Sequence, residues 1–255
     1  MKMLWALATN TFREAVRDRV LYSILFFAVG VLALSLVVED ITIGDQAKVV
    51  RSVAQGSVDV FGAIIAMFLG VSVIHKELER KTVYTVLSRP LPRWRFVLGK
   101  YVGLMLTLVV EIAVLVFVYS LFMLSRNDLP DGTFMVSMGM LVAELALLTA
   151  WATLFSAYSA PTTAAAFTLA VFVIGHLADD IWLYGNQAES ESVRSVARAL
   201  YWMLPNFEVF SIRDAAVHKL AVPWDRVCTG LLYGFGYTAA VLGAAVAVFQ
   251  NKDVK

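Results

Sequence analysis

Six long apolar runs, with most charges at their edges, dominate this sequence of 255 residues. A bilayer core about 30 Å thick is crossed by roughly 20 apolar residues in a helix, and each run is close to that length. Only 16% of the residues are charged and 60% are hydrophobic, which disfavours a soluble single-domain enzyme. The pattern predicts an all-α polytopic membrane protein whose single domain, 1–255, has six transmembrane helices, at residues 20–38, 58–74, 97–124, 134–155, 162–178 and 227–249.

Residues 1–19, before the first run, are predicted to form an amphipathic helix in the membrane interface. Apolar side chains recur there at three- and four-residue spacing, and basic side chains fall on the other side. The apolar positions are Leu4, Trp5, Ala8, Phe12, Ala15 and Val16. A plain cytoplasmic extension of the first span is the alternative interpretation.

The distribution of lysine and arginine predicts the orientation of the chain. The net charge is only +1, so no global field attracts nucleic acid. Twelve bases lie in residues 1–19, in loop 75–96 and after the sixth run, against three in the short loops on the other side. By the positive-inside rule both termini and loop 75–96 are cytoplasmic, and residues 179–226 form an outer segment.

The outer segment is predicted to contain short helices, including an amphipathic one from about Glu189 to Leu204. Its tryptophan and tyrosine residues suit a position at the membrane interface. Histidine and aspartate residues at its two ends are of types that bind metals, but their spacing matches no recognised site, and we expect no metal there. These residues are His176, Asp179, Asp180, Asp214 and His218.

Two glutamates, Glu111 and Glu144, lie near the centre of predicted spans, where a charged side chain is costly and indicates function. At 1.5 Å per residue they are about 21 Å and about 17 Å from the cytoplasmic ends of their helices. We expect them to line a pathway or to face the core of the bundle, and at close approach they would share a proton. A purely structural role for each is the alternative.

Loop 75–96 combines bases with paired acids and apolar residues, which an ordinary positive-inside loop does not explain. Residues 77–87 are predicted to form a short helix, and Pro90 and Pro92 end it. A stiff helix followed by a proline-fixed turn is suited to transmitting force.

The strings Glu79-Arg-Lys-Thr82, Leu87-Ser-Arg-Pro-Leu-Pro-Arg93 and Leu98-Gly-Lys100 resemble a signature of permease subunits of ABC-2-type transporters, particularly the NosY-like group. Lys81 departs from the glycine that many members have there. Leu204-Pro-Asn-Phe207 also resembles a motif of that group at the same place. The six spans and the long outer segment fit the same resemblance.

The resemblance implies that loop 75–96 is a coupling helix docked on a separate ATPase. The coupling residues it implies are Glu77, Glu79, Arg80, Thr82, Ser88, Arg89, Pro90 and Arg93. Two ATPase subunits, which bind ATP and magnesium, and a second copy of the permease would complete a transporter in the bacterial plasma (inner) membrane, with export the expected direction. Accessory periplasmic proteins are a further partner class that the resemblance leaves open.

The residues themselves agree that catalysis lies elsewhere. The sequence has no phosphate-binding loop, and Gly99-Lys100 lacks the upstream glycine that such a loop needs. It also shows neither a His-Glu-x-x-His site nor a serine with a plausible histidine base, so we expect no catalytic residue, cofactor or metal in this chain. Two alternatives stay open: a secondary transporter with Glu111 and Glu144 as a proton relay, and an ATP-driven mechanical scaffold that passes no substrate.

Overall fold

The computed structural model describes residues 2–41, 46–79, 92–124 and 130–251, and the regular elements in these ranges are all helical. Eight helices exceed twelve residues in length within these ranges, and two shorter ones lie among them. In chain order they are α1 (Lys2–Val16), α2 (Arg19–Ile41), α3 (Gln46–Glu79), α4 (Arg93–Leu124), α5 (Gly132–Tyr158), α6 (Pro161–His176), α7 (Ala178–Gln187), α8 (Glu191–Met203), α9 (Arg213–Val217) and α10 (Trp224–Asn251), with a 3₁₀ turn at Glu208–Phe210.

Successive long helices run in alternating directions, which gives the bundle two distinct ends. We call the end where α4 begins and α10 ends the proximal end; there the rings of Phe96 and Phe249 stack with centroids 5.7 Å apart. We call the end where α3 and α5 begin the distal end; there the rings of Tyr119 and Phe134 stack at 4.9 Å. In the predicted orientation the distal end is outside the cell.

Helix α1 packs across the proximal end of α4 with the small side chains of its buried face. Ala8 and Thr11 are buried, whereas Trp5 is exposed. The helices come so close that a Cβ atom on Gly103 would lie 2.6 Å from the carbonyl oxygen of Ala8. The predicted amphipathic helix is therefore present, and it covers the base of α4.

Four helices are long and apolar enough to cross a membrane within the described ranges, and a fifth span results if the bent pair α6–α7 counts as one. These four, α3, α4, α5 and α10, contain the predicted spans 58–74, 97–124, 134–155 and 227–249. The predicted span 20–38 lies within α2, of which the stretch Arg19–Leu34 is apolar but shorter than the spanning length. A sixth span therefore stays a prediction.

The predicted fifth span, 162–178, is not one straight helix. Helix α6 ends at His176, and α7 leaves it at a bend of 63°. The run of apolar residues does not show this bend; contacts of Gly175 and His176 with other parts of the chain, described below, hold the helix end in place.

The second span is part of a much longer helix than the apolar run predicts. Helix α3 starts at Gln46, twelve residues before the predicted start, and has 34 residues. Its early polar residues are buried against other helices: Arg51 Nη1 lies 4.0 Å from Asp131 Oδ1, and Gln55 hydrogen-bonds Ser137. The helix extends beyond the apolar run at its N-terminal end because the polar side chains there have partners inside the protein.

Helix α5 is the central element, with α3, α4, α6 and α10 around it. Asp131 caps its first turn by accepting a hydrogen bond from the backbone N–H of Phe134. It approaches α3 so closely that a Cβ atom on Gly70 would lie 2.5 Å from the Cβ atom of Ala152. The hydroxyl of Ser156 donates to the carbonyl of Val71 at 2.7 Å and fixes the same contact.

Candidate functional site

A polar cavity of about 250 Å³ lies between α3, α5, the end of α6 and the chain that follows α8. Its lining combines carboxylate, amide, hydroxyl, imidazole and guanidinium groups, which is unusual inside a bundle of apolar helices. The lining residues are Gln55, Asp59, Ser137, Leu141, Glu144, His176, Glu208, Phe210, Ser211, Ile212, Arg213 and Asp214.

Glu144 of α5 is paired with His176 at the end of α6. Its Oε1 atom lies 3.3 Å from Nε2 of the imidazole. The other ring nitrogen, Nδ1, lies 3.0 Å from the carbonyl oxygen of Phe172 and donates to it. The contact between Nε2 and Oε1 therefore needs one further proton, carried by either the imidazole or the carboxyl group.

Two residues of α3, Gln55 and Asp59, face this pair from the opposite wall. The Gln55 side chain is 1% exposed; its Nε2 donates to Ser137 Oγ, and its Oε1 has no hydrogen-bond partner among the described residues. Asp59 interacts electrostatically with Glu144, His176 and Arg213. The structure shows no hydrogen bond or ion pair of the Asp59 carboxylate within the described ranges, so its oxygens are open to the cavity.

Arg213, the first residue of α9, links the segment that follows α8 to α3. Its Nη2 donates to the carbonyl oxygen of Ser52 at 2.7 Å and to the Ser52 hydroxyl at 3.1 Å. Gly56 makes room for the guanidinium, because a Cβ atom there would lie 2.9 Å from Nη2. The cation is thus fixed at the rim of the cavity.

The Leu-Pro-Asn-Phe string at 204–207 positions the cavity wall. Asn206 donates from Nδ2 to Asp179 at 2.6 Å, and its Oδ1 accepts from the backbone N–H of Glu208 at 2.9 Å. The N–H of Phe207 donates to the carbonyl of Gly175 at 3.0 Å. A Cβ atom on Gly175 would lie 2.5 Å from the Phe207 ring, so a glycine is needed at this crossing.

The two membrane carboxylates predicted from the sequence do not pair with each other. Both oxygens of Glu111 are buried and without a hydrogen-bond partner in the described part of the chain. Glu144 is bound to His176 instead. The close approach at which Glu111 and Glu144 would share a proton therefore does not occur within the single chain, because similar depth on neighbouring helices does not place two side chains on facing sides.

The predicted coupling residues are only partly within the described ranges. Glu77 and Glu79 lie in the last turns of α3, so they continue the second span instead of opening a separate helix, and Arg93 is the first residue of α4. The remaining predicted coupling residues, Arg80, Thr82, Ser88, Arg89 and Pro90, lie outside the described residues.

Sequence reasoning missed Gln55, Asp59 and Arg213 as site residues. A signal for the first two was present, because a four-residue spacing on a helix places Gln55 and Asp59 on the same face. No comparable signal marks Arg213, whose partner Ser52 is 161 residues away. The described residues contain no group of three His, Cys, Asp or Glu side chains arranged to hold a metal ion.

A second, larger cavity of about 680 Å³ opens between α4, α5 and α10 and is almost entirely apolar. Tyr101 supplies its main polar group and donates its hydroxyl to the carbonyl of Ala146 at 3.0 Å. On α10, Leu232 and Phe235 are 76% and 80% exposed, and Phe235 lies at this cavity. This face has the character of a surface covered by lipid or by another apolar helix.

Comparison with known proteins identifies the family of the chain. No curated protein matches it. The family model described as ABC-2 family transporter protein matches residues 5–254, nearly the whole chain. That family consists of membrane subunits of ABC transporters, which agrees with the apolar spanning helices described above. The chain therefore belongs to the ABC-2 family of transporter proteins.

Proposed function

We propose that this chain is the permease subunit of an ATP-driven exporter in the bacterial plasma membrane, in which two copies work with two separate ATPase subunits. Both termini and residues 75–96 face the cytoplasm in this proposal, and the distal end faces outward. The resemblance of residues 79–100 to the NosY-like group supports the choice of subgroup.

One observation carries the proposed mechanism: α3 runs without a break from the polar cavity to Glu79, inside loop 75–96, which we call the coupling segment. Asp59 and Glu79 are 20 residues apart on the same helix. At 1.5 Å per residue the helix spans about 30 Å between them. A displacement of the coupling segment by the ATPase is thus transmitted along one stiff element to the cavity wall.

The contacts of α3 with α5 determine what such a displacement changes. Gly70 is packed against Ala152, and Gln55 hydrogen-bonds Ser137, so α3 contacts α5 at both its distal and its proximal part. Sliding or tilting of α3 would alter the distance of Asp59 from the Glu144–His176 pair. We propose that ATP-driven closure and release of the coupling segment alternately open and close this cavity.

Helix α1 would hold the proximal start of α4, at the end of loop 75–96, in place. Lys100 Nζ lies 3.7 Å from Glu14 Oε2, and the lysine side chain is 3% exposed. This pair anchors α1 to α4 seven residues after α4 begins at Arg93. The Gly-Lys dipeptide at 99–100 thus has a packing role, because a Cβ atom on Gly99 would lie 2.9 Å from Leu7 Cβ.

Purification of the full chain from its native membrane tests the proposal. We expect an ATPase with a phosphate-binding loop to copurify in equal number with the chain. Charge reversal at Glu77→Lys/Glu79→Lys is expected to release it, and Glu189→Lys/Glu191→Lys, two exposed distal positions, is the matched control. An ATPase absent from the wild-type preparation would contradict the proposal.

A proton-coupled secondary transporter is the second candidate, and the Glu144–His176 contact favours it because the contact contains one exchangeable proton. That protein would need no ATPase and would drive transport from a pH gradient alone.

A mechanical scaffold, by contrast, would need the ATPase but no cavity. Retention of activity after the polar cavity is filled by Ser137→Phe would favour the scaffold.

A further inference from the structure

The polar cavity offers hydrogen-bond acceptors to a ligand, while several of its donors are already used. Gln55 Nε2 donates to Ser137, and His176 donates from Nδ1 to Phe172. Arg213 directs Nη2 at Ser52. The acceptor oxygens that stay open toward the cavity, among the described residues, are Gln55 Oε1 and the carboxylates of Asp59, Glu208 and Asp214.

One of the open oxygens, Gln55 Oε1, is deeply buried. Gln55 Oε1 lies on a residue that is 1% exposed and has no hydrogen-bond partner in the described part of the chain. A buried polar atom without a partner costs about 1–3 kcal/mol, so it is retained where a ligand or water completes its bonding. The carboxylates of Asp59, Glu208 and Asp214 line the same cavity, and within the described ranges the structure shows no side-chain hydrogen bond or ion pair of theirs.

The charge of the lining is also unbalanced. Four carboxylates, on Asp59, Glu144, Glu208 and Asp214, face the cavity, against one guanidinium and one imidazole among the described lining residues. The guanidinium of Arg213 is attached to Ser52 and the imidazole to Glu144. A ligand that balances this lining carries positive charge and hydrogen-bond donors.

The volume limits the size of that ligand. A cavity of about 250 Å³ has room for a group of water molecules or for one small organic molecule. Drug-sized ligands occupy pockets of about 300–1,000 Å³, so the occupant is smaller. A bare metal ion does not fit the arrangement, because the described residues include no group of three potential ligands close enough to hold one.

We infer that the cavity between α3, α5 and α9 is a binding site for a small organic cation with an ammonium or guanidinium group. Asp59 and Gln55 bind this group, and Glu208 lines the distal side of the cavity. This inference rests on the proposed transport function and gives the substrate class of the same pathway. Asp59 supplies the counter-charge, and Gln55 Oε1 accepts a hydrogen bond from the same donor group.

Equilibrium dialysis of the wild-type chain, in nanodiscs with any ATPase that copurifies, tests this inference with two probes of nearly equal shape. N-butylguanidinium carries a positive charge, whereas N-butylurea has the same chain and N–H donors but no charge. We expect the cation to bind at least about tenfold more tightly than the urea, since a hydrogen bond to a charged group is stronger than one to a neutral group.

Variants locate the site. Asp59→Asn is expected to weaken N-butylguanidinium binding about tenfold and to leave N-butylurea unchanged, and Glu208→Gln, on a half-buried residue, is a second variant with the same expected direction. Glu111→Gln is the matched control, because Glu111 is a buried carboxylate that does not line the cavity. Equal binding of the two probes, or undiminished cation binding in both Asp59→Asn and Glu208→Gln, would overturn the inference.

The same preparations separate this inference from the proposed function. If the ATPase copurifies and hydrolyses ATP but the cation and the urea bind equally, only the cation site is wrong. If no ATPase copurifies while N-butylguanidinium binds and Asp59→Asn weakens it, the cation site stands and the coupling proposal fails.

Discussion

Glu144 Oε1 and His176 Nε2, 3.3 Å apart, join the middle of the central helix α5 to the last residue of α6. The contact lies directly before the 63° bend into α7. The His176 ring is also packed against Phe207, with centroids 5.4 Å apart. A buried polar pair and an aromatic contact thus fix the point at which the fifth apolar run changes direction.

His176→Ala is expected to destabilise the chain by about 1–3 kcal/mol, because it leaves the buried Glu144 carboxyl group without its partner. The double variant His176→Ala/Glu144→Gln should recover part of this loss, since a neutral amide is less costly to leave unpaired than a carboxylate. Thermal unfolding of the purified chain in detergent measures both. Strictly additive effects of the two substitutions would show that the pair is not coupled.

The length and apolar character of the helices could be predicted from the sequence, whereas the joins between helices could not. Apolar runs placed four spans within α3, α4, α5 and α10, since hydrocarbon excludes charges and the runs are long. The early start of α3 was missed because Arg51 and Gln55 are polar, and only their distant partners Asp131 and Ser137 make them compatible with a buried helix.

The candidate site was only partly predictable for the same reason. Glu144 was identified because a carboxylate inside an apolar run is conspicuous in any sequence. Its partner His176 was not identified, since depth along a helix can be counted but the direction of a side chain around the bundle cannot. Arg213 reaches α3 from a part of the chain 161 residues away, and no local pattern indicates such a contact.

Gly70→Ala and Gly139→Ala are expected to change stability in opposite directions. A Cβ atom at position 70 would lie 2.5 Å from Ala152 Cβ, so the added methyl group forces α3 and α5 apart at a cost of about 1–3 kcal/mol. Position 139 has no atom within 4 Å of such a Cβ, and alanine there gains up to about 1 kcal/mol of helix propensity. Parallel thermal unfolding of both variants measures this; destabilisation of equal size would contradict the close contact.

Lys100→Met is expected to lower the free energy of unfolding by about 2 kcal/mol, because it removes a charge-assisted contact between α1 and α4 while leaving Glu14 in place. Arg95→Met, at an exposed position one turn earlier on α4, serves as the control and should change stability by less than about 0.5 kcal/mol. Protease cleavage within α1 offers a local readout, with faster cleavage expected for Lys100→Met. Equal cleavage rates in the two variants would argue against the anchor.

Glu111→Leu is expected to stabilise the chain by about 1–3 kcal/mol. Both oxygens of Glu111 are buried without hydrogen-bond partners among the described residues, so the substitution removes an uncompensated polar group. Glu144→Leu should give no such gain, because it also deprives His176 of its partner. Unfolding measurements check both, and a loss of stability in Glu111→Leu would mean that its carboxyl group is satisfied in the native assembly.

Transport separates the functional from the structural interpretation of the two glutamates. The double variant Glu111→Gln/Glu144→Gln should impair ATP-driven transport of a cavity ligand, since Glu144 lines the polar cavity. Uptake of N-butylguanidinium into inverted vesicles, with ATP added outside, is the measurement. Normal uptake by the double variant would assign both carboxylates to packing alone.

The rate of ATP hydrolysis by the copurified assembly in nanodiscs tests the central claim most directly. With Glu77→Lys/Glu79→Lys at the end of α3, the account predicts a rate reduced about tenfold or more, because charge reversal removes complementarity to the ATPase. Glu189→Lys/Glu191→Lys at the distal end should hydrolyse ATP at the wild-type rate. Wild-type hydrolysis with the ATPase still bound to Glu77→Lys/Glu79→Lys would contradict coupling through α3.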